Sequence, residues 1–425
     1  MPIKRLVAVA LLLGLAACSA PHALGPSFVA PAQNSVMNPD HGASALPGGW
    51  LPCGFPTGGD NNGGGDSGGD VTGTIEHEAS CSVAISTYYG YGSGMRSADD
   101  GSNVQGLHPA DINNAYHFPS SKPGTTVAIV DAFNDPQAES DMNVYRAQFH
   151  LPACTSANGC FTKLNQAGKA GPYPAASTAW SHEVAVDTEM VSAVCPHCKI
   201  LLIEASSASM DDLGKSVDEA VALGAHVVSN SYYAVEWKGE TAEDVHYNHP
   251  GVAITVSSGD VAASCSSGSS SSSSCGGDAA TTGKSAPYYP ASSPYVTAVG
   301  GTSLWGSGAG RWKQQPWQFA GLGCSRYETR PKFQKPVCKT RSSVDMAVDG
   351  DPQTGVSIYS TLAGGWVIAG GTSVGSPIVA AAYALSARPA GPAYSYDHRG
   401  DFRNVGPPGF GKATGLGSPN GVLGL

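Results

Sequence analysis

Short, mostly apolar runs recur along the chain from about residue 126 onward. They show no regular alternation of polar and apolar residues, which is typical of strands buried on both faces of a sheet. These predicted strands cover 126–131, 200–203, 225–229, 252–257 and 295–299. Helical patterns lie at 109–116, 138–149, 182–193 and 211–223. Strands that alternate with helices predict an α/β fold with a doubly wound, mainly parallel sheet flanked by helices.

A candidate nucleophile lies in the turn Gly370-Gly371-Thr372-Ser373, which leads directly into an apolar, alanine-rich helical pattern. Glycines allow a tight turn, and the start of a helix carries positive partial charge. The Ser373 hydroxyl therefore suits an attack that creates negative charge. Pro377 is interpreted as part of the first helical turn, which tolerates proline. The alternative is a serine that only caps the helix.

A candidate general base lies in the helical pattern that starts at 182. Glu183 and Asp187 are four residues apart, which places both on one helix face with β-carbons about 5–6 Å apart. Two carboxyl groups that share a proton have one raised apparent pKa, and such a carboxylate can accept the proton of a serine hydroxyl. The alternative is a pair of solvent-exposed carboxylates on the helix surface.

Asp260 follows the predicted strand 252–257, at the edge of the sheet where ligands bind in doubly wound folds. A protonated Asp260 can donate a hydrogen bond to a developing oxyanion, and one good donor contributes roughly 3–4 kcal/mol. An acidic working pH would supply that proton and keep the Glu183–Asp187 pair half-protonated. The alternative is a loop aspartate that caps a turn.

His182 and Asp131 offer a different mechanism, in which they form a Ser-His-Asp triad with Ser373. His182 is adjacent to Glu183, and a helix turns adjacent residues about 100° apart. Only one of the two side chains can therefore face Ser373 well, so the histidine mechanism and the carboxylate mechanism exclude each other.

Taken together, these motifs resemble the sedolisin family of serine-carboxyl peptidases. The resemblance covers about 106–425, in the family's order and spacing. It is carried by Trp180-Ser181-His182-Glu183 with Asp187, by Ser258-Gly259-Asp260, by the stretch from Pro290 to Thr302, and by Gly371-Thr372-Ser373 with Pro377.

That resemblance implies a subtilisin-like fold and endopeptidase activity at acid pH on protein or peptide substrates. It also implies a role for each candidate residue. Ser373 would be the nucleophile that forms an acyl-enzyme, Glu183 the general base, Asp187 its partner, and Asp260 the group that stabilises the oxyanion.

The N-terminus predicts export. Lys4 and Arg5 precede an apolar run at 6–15 that is too short to span a bilayer as a helix. The run ends at Cys18 in a pattern that resembles the lipobox of bacterial lipoproteins, so 1–18 is interpreted as a signal peptide with a lipid-anchored cysteine. Ordinary signal cleavage nearby, with secretion, is the alternative. The anchor would place the protein in the periplasm or at the cell surface.

The other cysteines fall into near neighbours, which predicts short disulfides in an exported protein. The pairs are Cys53/Cys81, Cys154/Cys160, Cys195/Cys198, Cys265/Cys275 and Cys324/Cys338. For Cys195/Cys198 a redox or metal motif is the alternative.

Composition separates a linker from the peptidase domain. Asp60 to Asp70 is nearly all Gly, Asp, Asn and Ser, so 19–104 is predicted to be a flexible linker or short pro-region. The domain is predicted at 105–425, with irregular structure in 305–355 and a loop-like tail from 397. The net charge of −10 without a basic run argues against nucleic-acid binding. A monomer is expected.

The chain departs from the family in two places. Only about 85 residues separate Cys18 from the catalytic region, too few for the large folded propeptide that the family usually carries. The family's calcium site is reduced to a degenerate set near Asn404, Val405, Gly409 and Gly411, without its two carboxylates. Calcium is expected to bind weakly or not at all, and no cofactor is expected to be required. Both departures favour, as an alternative function, an inactive surface lipoprotein that uses the fold as a binding module.

Overall fold

A central sheet organises the part of the chain that the structure describes. The structure is a computed structural model, and it describes residues 50–52, 77–81, 83–86, 104–119, 125–260, 286–306, 312–335, 337–386, 391–406 and 411–425. The predicted signal peptide with Cys18, the Asp60–Asp70 stretch, Cys53, the Cys265/Cys275 pair and Gly409 lie outside these residues.

The strands of the described ranges are β1 Trp50–Pro52, β2 Ser80–Cys81, β3 Ala84–Ser86, β4 Thr126–Ala132, β5 Phe161–Asn165, β6 Lys199–Ala205, β7 Val227–Asn230, β8 Tyr232–Val235, β9 Ala253–Ser257, β10 Tyr288–Tyr289, β11 Thr297–Trp305, β12 Lys313–Pro316, β13 Met346–Asp349, β14 Val356–Ser360, β15 Gly365–Gly370, β16 Phe402–Arg403 and β17 Ser418–Pro419.

The α-helices of the same ranges are α1 Pro109–Tyr116, α2 Ala138–Gln148, α3 Thr178–Val194, α4 Met210–Ala222, α5 Thr372–Ser386 and α6 Pro392–Asp397. Short 3-10 helices lie at Glu240–His246, Pro352–Thr354, Thr361–Ala363 and Arg399–Asp401.

The main sheet has the strand order β12-β11-β9-β7-β4-β6-β5, and β13 also pairs with β11. Every pairing from β5 to β11 along this order is parallel, as is that of β13, and only the edge strand β12 runs antiparallel. The prediction of a mainly parallel α/β sheet flanked by helices is therefore confirmed.

Both faces of the sheet are buried, because successive side chains of a strand lie on opposite faces and pack in two different apolar cores. In β4, Val127 and Ile129 pack with α1, α2, α3 and α5, whereas Ala128 and Val130 pack with α4 on the other face. This arrangement explains why the strand sequences are nearly continuous runs of apolar residues. Helix α3 is buried from Trp180 to Val194, apart from the half-buried His182, so it is an internal helix.

The prediction of irregular structure throughout 305–355 is wrong for two segments. β12 and β13 both lie there and pair with β11. The β12 sequence, Lys-Gln-Gln-Pro, is polar because its strand lies at the sheet edge with alternate side chains exposed. Its residues therefore carry no apolar signal that a sequence pattern could show.

Pro377 is not in the first turn of its helix. Helix α5 begins at Thr372, which makes Pro377 its sixth residue. A proline has no N–H to donate to the carbonyl four residues earlier, so the Ser373 carbonyl oxygen has no helical partner. The Ser231 hydroxyl lies 3.4 Å from that oxygen.

Segment 19–104, predicted to be a linker or short pro-region, contributes three short strands. β1 pairs with β3, β3 pairs with β15, and β2 pairs with β8. These strands lie on the same compact unit as the rest of the described chain, Ala43–Leu425.

Three of the predicted disulfides are present among the described cysteines: Cys154–Cys160, Cys195–Cys198 and Cys324–Cys338. Cys81 is disulfide-bonded as well. The sulfurs of Cys195 and Cys198 are therefore bonded to each other rather than free to ligate a metal. Separately, none of the helices in the described ranges is long and apolar enough to cross a membrane.

Candidate active site

Ser373 is the second residue of α5, and two glycines place it there. Gly371 has φ of 110°, a left-handed conformation that favours glycine. Gly370 packs so closely on Pro352 that a β-carbon would lie 2.4 Å from the Pro352 Cα. The turn thus delivers the Ser373 side chain to the positive end of α5, where it is fully buried.

Ser231 joins this turn to α3. The Ser373 hydroxyl donates to the Ser231 carbonyl oxygen at 3.5 Å, and the Ser231 hydroxyl donates to Asp187 Oδ1 at 2.8 Å. Sequence reasoning missed Ser231. The signal was present, because Ser231 directly follows β7 at the carboxyl end of a buried strand, where polar residues collect around ligands.

Glu183 and Asp187 are both fully buried, so the alternative of an exposed carboxylate pair is wrong. Burial is the main cause that raises the pKa of Asp187 well above its ordinary value. Repulsion from Glu183 raises that pKa further, and the hydrogen bond from Ser231 opposes the shift. One proton shared by this pair would remove the repulsion.

The structure does not assemble the histidine triad. The His182 ring forms a hydrogen bond with the Ser360 hydroxyl at 3.1 Å. Among the described residues no hydrogen bond joins His182 to Ser373 or Asp131. Asp131 lies instead near Asp187, whose charge adds to burial in raising the pKa of Asp131 well above its ordinary value. Asp131 therefore lies in a cluster of buried carboxyl groups with Asp187 and Glu204. Its position in the sequence did not reveal these neighbours.

Asp260 lies beside the nucleophile turn. Its Oδ1 accepts hydrogen bonds from the Thr372 backbone N–H at 2.9 Å and from the Thr372 hydroxyl at 2.8 Å. Burial raises the pKa of Asp260 to about 7, although both bonds from Thr372 act to lower it. Because Oδ1 accepts two bonds, a proton taken up below that pH resides on Oδ2, which then becomes a donor.

The described residues of the degenerate calcium site do not fit a calcium ion. The Val405 carbonyl accepts a hydrogen bond from the Thr414 hydroxyl at 2.9 Å, and the Gly411 carbonyl accepts one from the Gly415 N–H at 3.0 Å. Asn404 is exposed to solvent. Calcium needs six to eight oxygen ligands, several of them anionic, and this set offers no carboxylate.

Calcium removal is therefore expected to leave stability unchanged. Adding EDTA should shift the Tm by less than about 1 °C, a change below about 1 kcal/mol for a domain of this size. Thermal unfolding followed by circular dichroism measures this shift. A larger fall in Tm that excess calcium reverses, and magnesium does not, would show that an ion binds after all.

Known proteins resemble this chain in a stretch of its sequence and in its fold. No family model matches the chain. A stretch of 104 residues is 38% identical to sedolisin from Pseudomonas sp. (strain 101), covering 21% of this chain and 17% of that protein. The structure of Pseudomonas sedolisin complexed with two molecules of pseudo-iodotyrostatin aligns with a TM-score of 0.60 at 22% identity, over 75% of this chain and 96% of that chain. The chain is therefore similar to sedolisin over this stretch of sequence and shares its fold.

The expected resemblance to sedolisin and the expected subtilisin-like fold are both confirmed by these two similarities. The sequence match spans about a sixth of the length of the Pseudomonas sedolisin sequence. This match therefore does not carry the activity of sedolisin over to this chain.

Proposed function

We propose that this sedolisin relative is a serine peptidase of the serine-carboxyl type, which cleaves peptide bonds through an acyl-enzyme at Ser373. The observation that carries the proposal is the linked arrangement of Ser373, Ser231 and Asp187, with Glu183 buried beside Asp187. The Pseudomonas relative is a serine-carboxyl proteinase with the same fold, which supports this reaction class.

In this mechanism Glu183 accepts the proton of the Ser373 hydroxyl while the oxygen attacks the carbonyl carbon of the substrate. Asp187 shares a proton with Glu183, which keeps the pair at a single negative charge. Glu183 then returns the proton to the leaving amine, and water hydrolyses the acyl-enzyme by the same route. The pair is suited to this work because both groups are buried and burial raises the pKa of Asp187.

Asp260 would stabilise the oxyanion in its protonated form. Its proton on Oδ2 can donate to the negative oxygen that forms at the substrate carbonyl, and the start of α5 adds positive partial charge. An ionised Asp260 would repel that oxygen instead. The mechanism therefore works at acid pH and fails as Asp260 loses its proton at about pH 7.

The proposed setting is outside the cytoplasm. Disulfides persist in oxidising compartments, and those formed by the described cysteines fit an exported protein. We also propose that the protein is a monomer that acts on protein or peptide substrates and that a lipid on Cys18 anchors it to the membrane. Incorporation of labelled palmitate into wild-type chain, but not into a Cys18→Ala chain, tests the anchor.

The pH dependence of peptide hydrolysis tests the mechanism. Cleavage of a denatured protein should be fastest between about pH 3 and pH 5 and should fall as the pH rises through about 7, because Asp260 ionises. A His182→Ala variant should keep this acid maximum. A maximum above about pH 7 that His182→Ala abolishes would assign the base to His182. No turnover after prolonged incubation of a folded protein would favour the binding-module alternative.

A further inference from the structure

Helix α4 packs closely against the 3-10 helix at Glu240–His246. A β-carbon on Gly214 of α4 would lie 2.7 Å from Cδ2 of the His246 ring, so a larger residue there would force the ring to move. Only 15% of the His246 side chain is exposed to solvent. The glycine therefore allows an imidazole ring to lie directly against the side of α4.

A carboxylate of α4 holds the orientation of this ring. Asp218 lies four residues after Gly214, on the same helix face. The His246 Nδ1 atom donates to Asp218 Oδ2 at 2.6 Å, and Asp218 Oδ1 lies 2.9 Å from Nε2 of His249. Because Nδ1 carries the proton of the neutral His246 ring, the lone pair of that ring is on Nε2. Nε2 is therefore the ring nitrogen that can bind a metal ion.

Two further carboxylates converge on His246 Nε2. One ligand atom from each of Asp211, Glu243 and His246 lies within 4.8 Å of the other two. Glu243 Oε2 is 3.8 Å from His246 Nε2, which is too far for a hydrogen bond. A nitrogen lone pair that faces a carboxylate oxygen is repelled unless a cation lies between them. Two ligands of one tetrahedral zinc ion are about 3.4 Å apart, close to this separation.

The oxygens of this cluster already attract a positive charge. The Lys215 ammonium forms an ion pair with Asp211, four residues earlier on α4. Both side chains of the pair are more than half exposed, so the pair is weak and the lysine can turn into solvent. A divalent ion that displaced Lys215 would interact with the same Asp211 oxygen.

We propose that Asp211, Glu243 and His246 bind a zinc ion with water as the fourth ligand, and that Asp218 orients the imidazole through its other nitrogen. One imidazole and two carboxylates suit zinc, whereas calcium and magnesium prefer oxygen ligands alone. A carboxylate on the opposite ring nitrogen is the usual partner of a zinc-bound histidine. The ion would join α4 to the 3-10 helix, and none of its ligands belongs to the proposed catalytic residues.

Zinc titration of the metal-free full chain tests the proposal. Metal binding needs deprotonated ligands, so isothermal titration calorimetry is made at about pH 7.5. Wild type should bind zinc with a Kd of about 10 µM or tighter, and His246→Gln should weaken this binding at least about 30-fold. His249→Gln is the matched control, because His249 also bonds to Asp218 but is not a ligand. Its Kd should stay within about fivefold of wild type.

Two other substitutions distinguish a zinc site from an acidic surface. Lys215→Gln removes the competing ammonium and should tighten zinc binding about fivefold. Lys199→Gln removes the same charge from an exposed position at the start of β6 and should change the Kd less than about twofold. Asp218→Asn should weaken binding about 10–100-fold, although Asp218 is not a ligand. Equal effects of the two lysine substitutions would overturn the proposal.

Zinc should also stabilise the fold. At about 100 times the Kd it should raise the Tm of wild type by about 4 °C and leave that of His246→Gln unchanged. Metal-free protein holds no zinc for EDTA to remove, so this rise is separate from the calcium test. Equal zinc affinities of wild type and His246→Gln, or calcium bound as tightly as zinc, would overturn the site and leave the proposed function standing. If His246→Gln does not fold, Glu243→Gln repeats the comparison at a side chain that is 27% exposed.

Discussion

Replacing Ser373 with alanine should lower kcat for peptide hydrolysis by at least about 10⁴-fold, because no other group in the mechanism can form the acyl-enzyme. The substitution removes a single oxygen from a buried side chain whose hydrogen bond, to the Ser231 carbonyl at 3.5 Å, is long. The free energy of unfolding should therefore change little. Rates measured at about pH 4, with the Tm of each protein, give both quantities.

Ser376 provides the matched control. It is a fully buried serine in the same helix, and its hydroxyl lies 3.0 Å from those of Ser229 and Thr255, away from the carboxyl pair. Ser376→Ala should lower stability by about 1 kcal/mol and keep kcat within about threefold of wild type. Equal losses of activity in both variants would mean that helix packing, and not the Ser373 hydroxyl, limits the rate.

Glu183→Gln then tests the base without changing the shape of the site. An amide cannot accept the serine proton, so kcat should fall by roughly 10²–10⁴-fold across the pH range. Ser373→Ala and Glu183→Gln combined should lose no more than Ser373→Ala alone, because the two groups act in one step. Activity retained in Glu183→Gln would remove Glu183 from the mechanism.

The sheet could be predicted from sequence because burial on both faces leaves a local signal. The run at 126–131 and the helical pattern at 109–116 correspond to β4 and α1, since their apolar residues must face cores. By the same reasoning β12 was missed, because an exposed edge strand needs no apolar residues. β5 was missed for a similar reason, as it too is an edge strand with only its first residue buried.

The sequence proposes residues for the candidate site but does not show which of them are in contact. Helical spacing gives the neighbourhood of Glu183 and Asp187, because both lie on one element. The link through Ser231 and the pairing of β2 with β8 join residues far apart in sequence, and local patterns do not encode such pairs. Asp131 was considered only as a partner of His182, whereas the strand order places it beside Asp187.

A second carboxyl cluster, remote from Glu183 and Asp187 in sequence, should make the protein most stable in acid. Glu240 is fully buried, and burial raises its pKa to about 9, with repulsion from Glu236 and Glu328 as further causes. Burial also raises the pKa of Glu328 to about 8, where repulsion from Asp244 adds to the shift and Arg341 opposes it. These groups are neutral in the folded protein near pH 4.

The raised pKa values of Glu240 and Glu328 determine how the free energy of unfolding changes with pH. A carboxyl whose pKa is raised by folding binds its proton more tightly in the folded state than in the unfolded state. Its stabilising contribution is fully present below the unfolded pKa of about 4.5 and is lost as the pH rises toward about 8 to 9. The Tm should therefore fall steadily from about pH 4 to about pH 8.

Glu240→Gln isolates this effect. Glutamine keeps an oxygen that can accept the Trp237 N–H, bonded at 2.9 Å to the carboxyl of Glu240, but it cannot ionise. The Tm of the variant should match that of wild type within a few degrees near pH 4 and should fall less by about pH 8. The slope of Tm against pH is therefore expected to be smaller. Asp397→Asn, a change at an exposed carboxyl, should leave the slope unaltered. A Tm that rises from pH 4 to pH 8, or equal slopes in wild type and Glu240→Gln, would show that Glu240 is not held neutral by the fold.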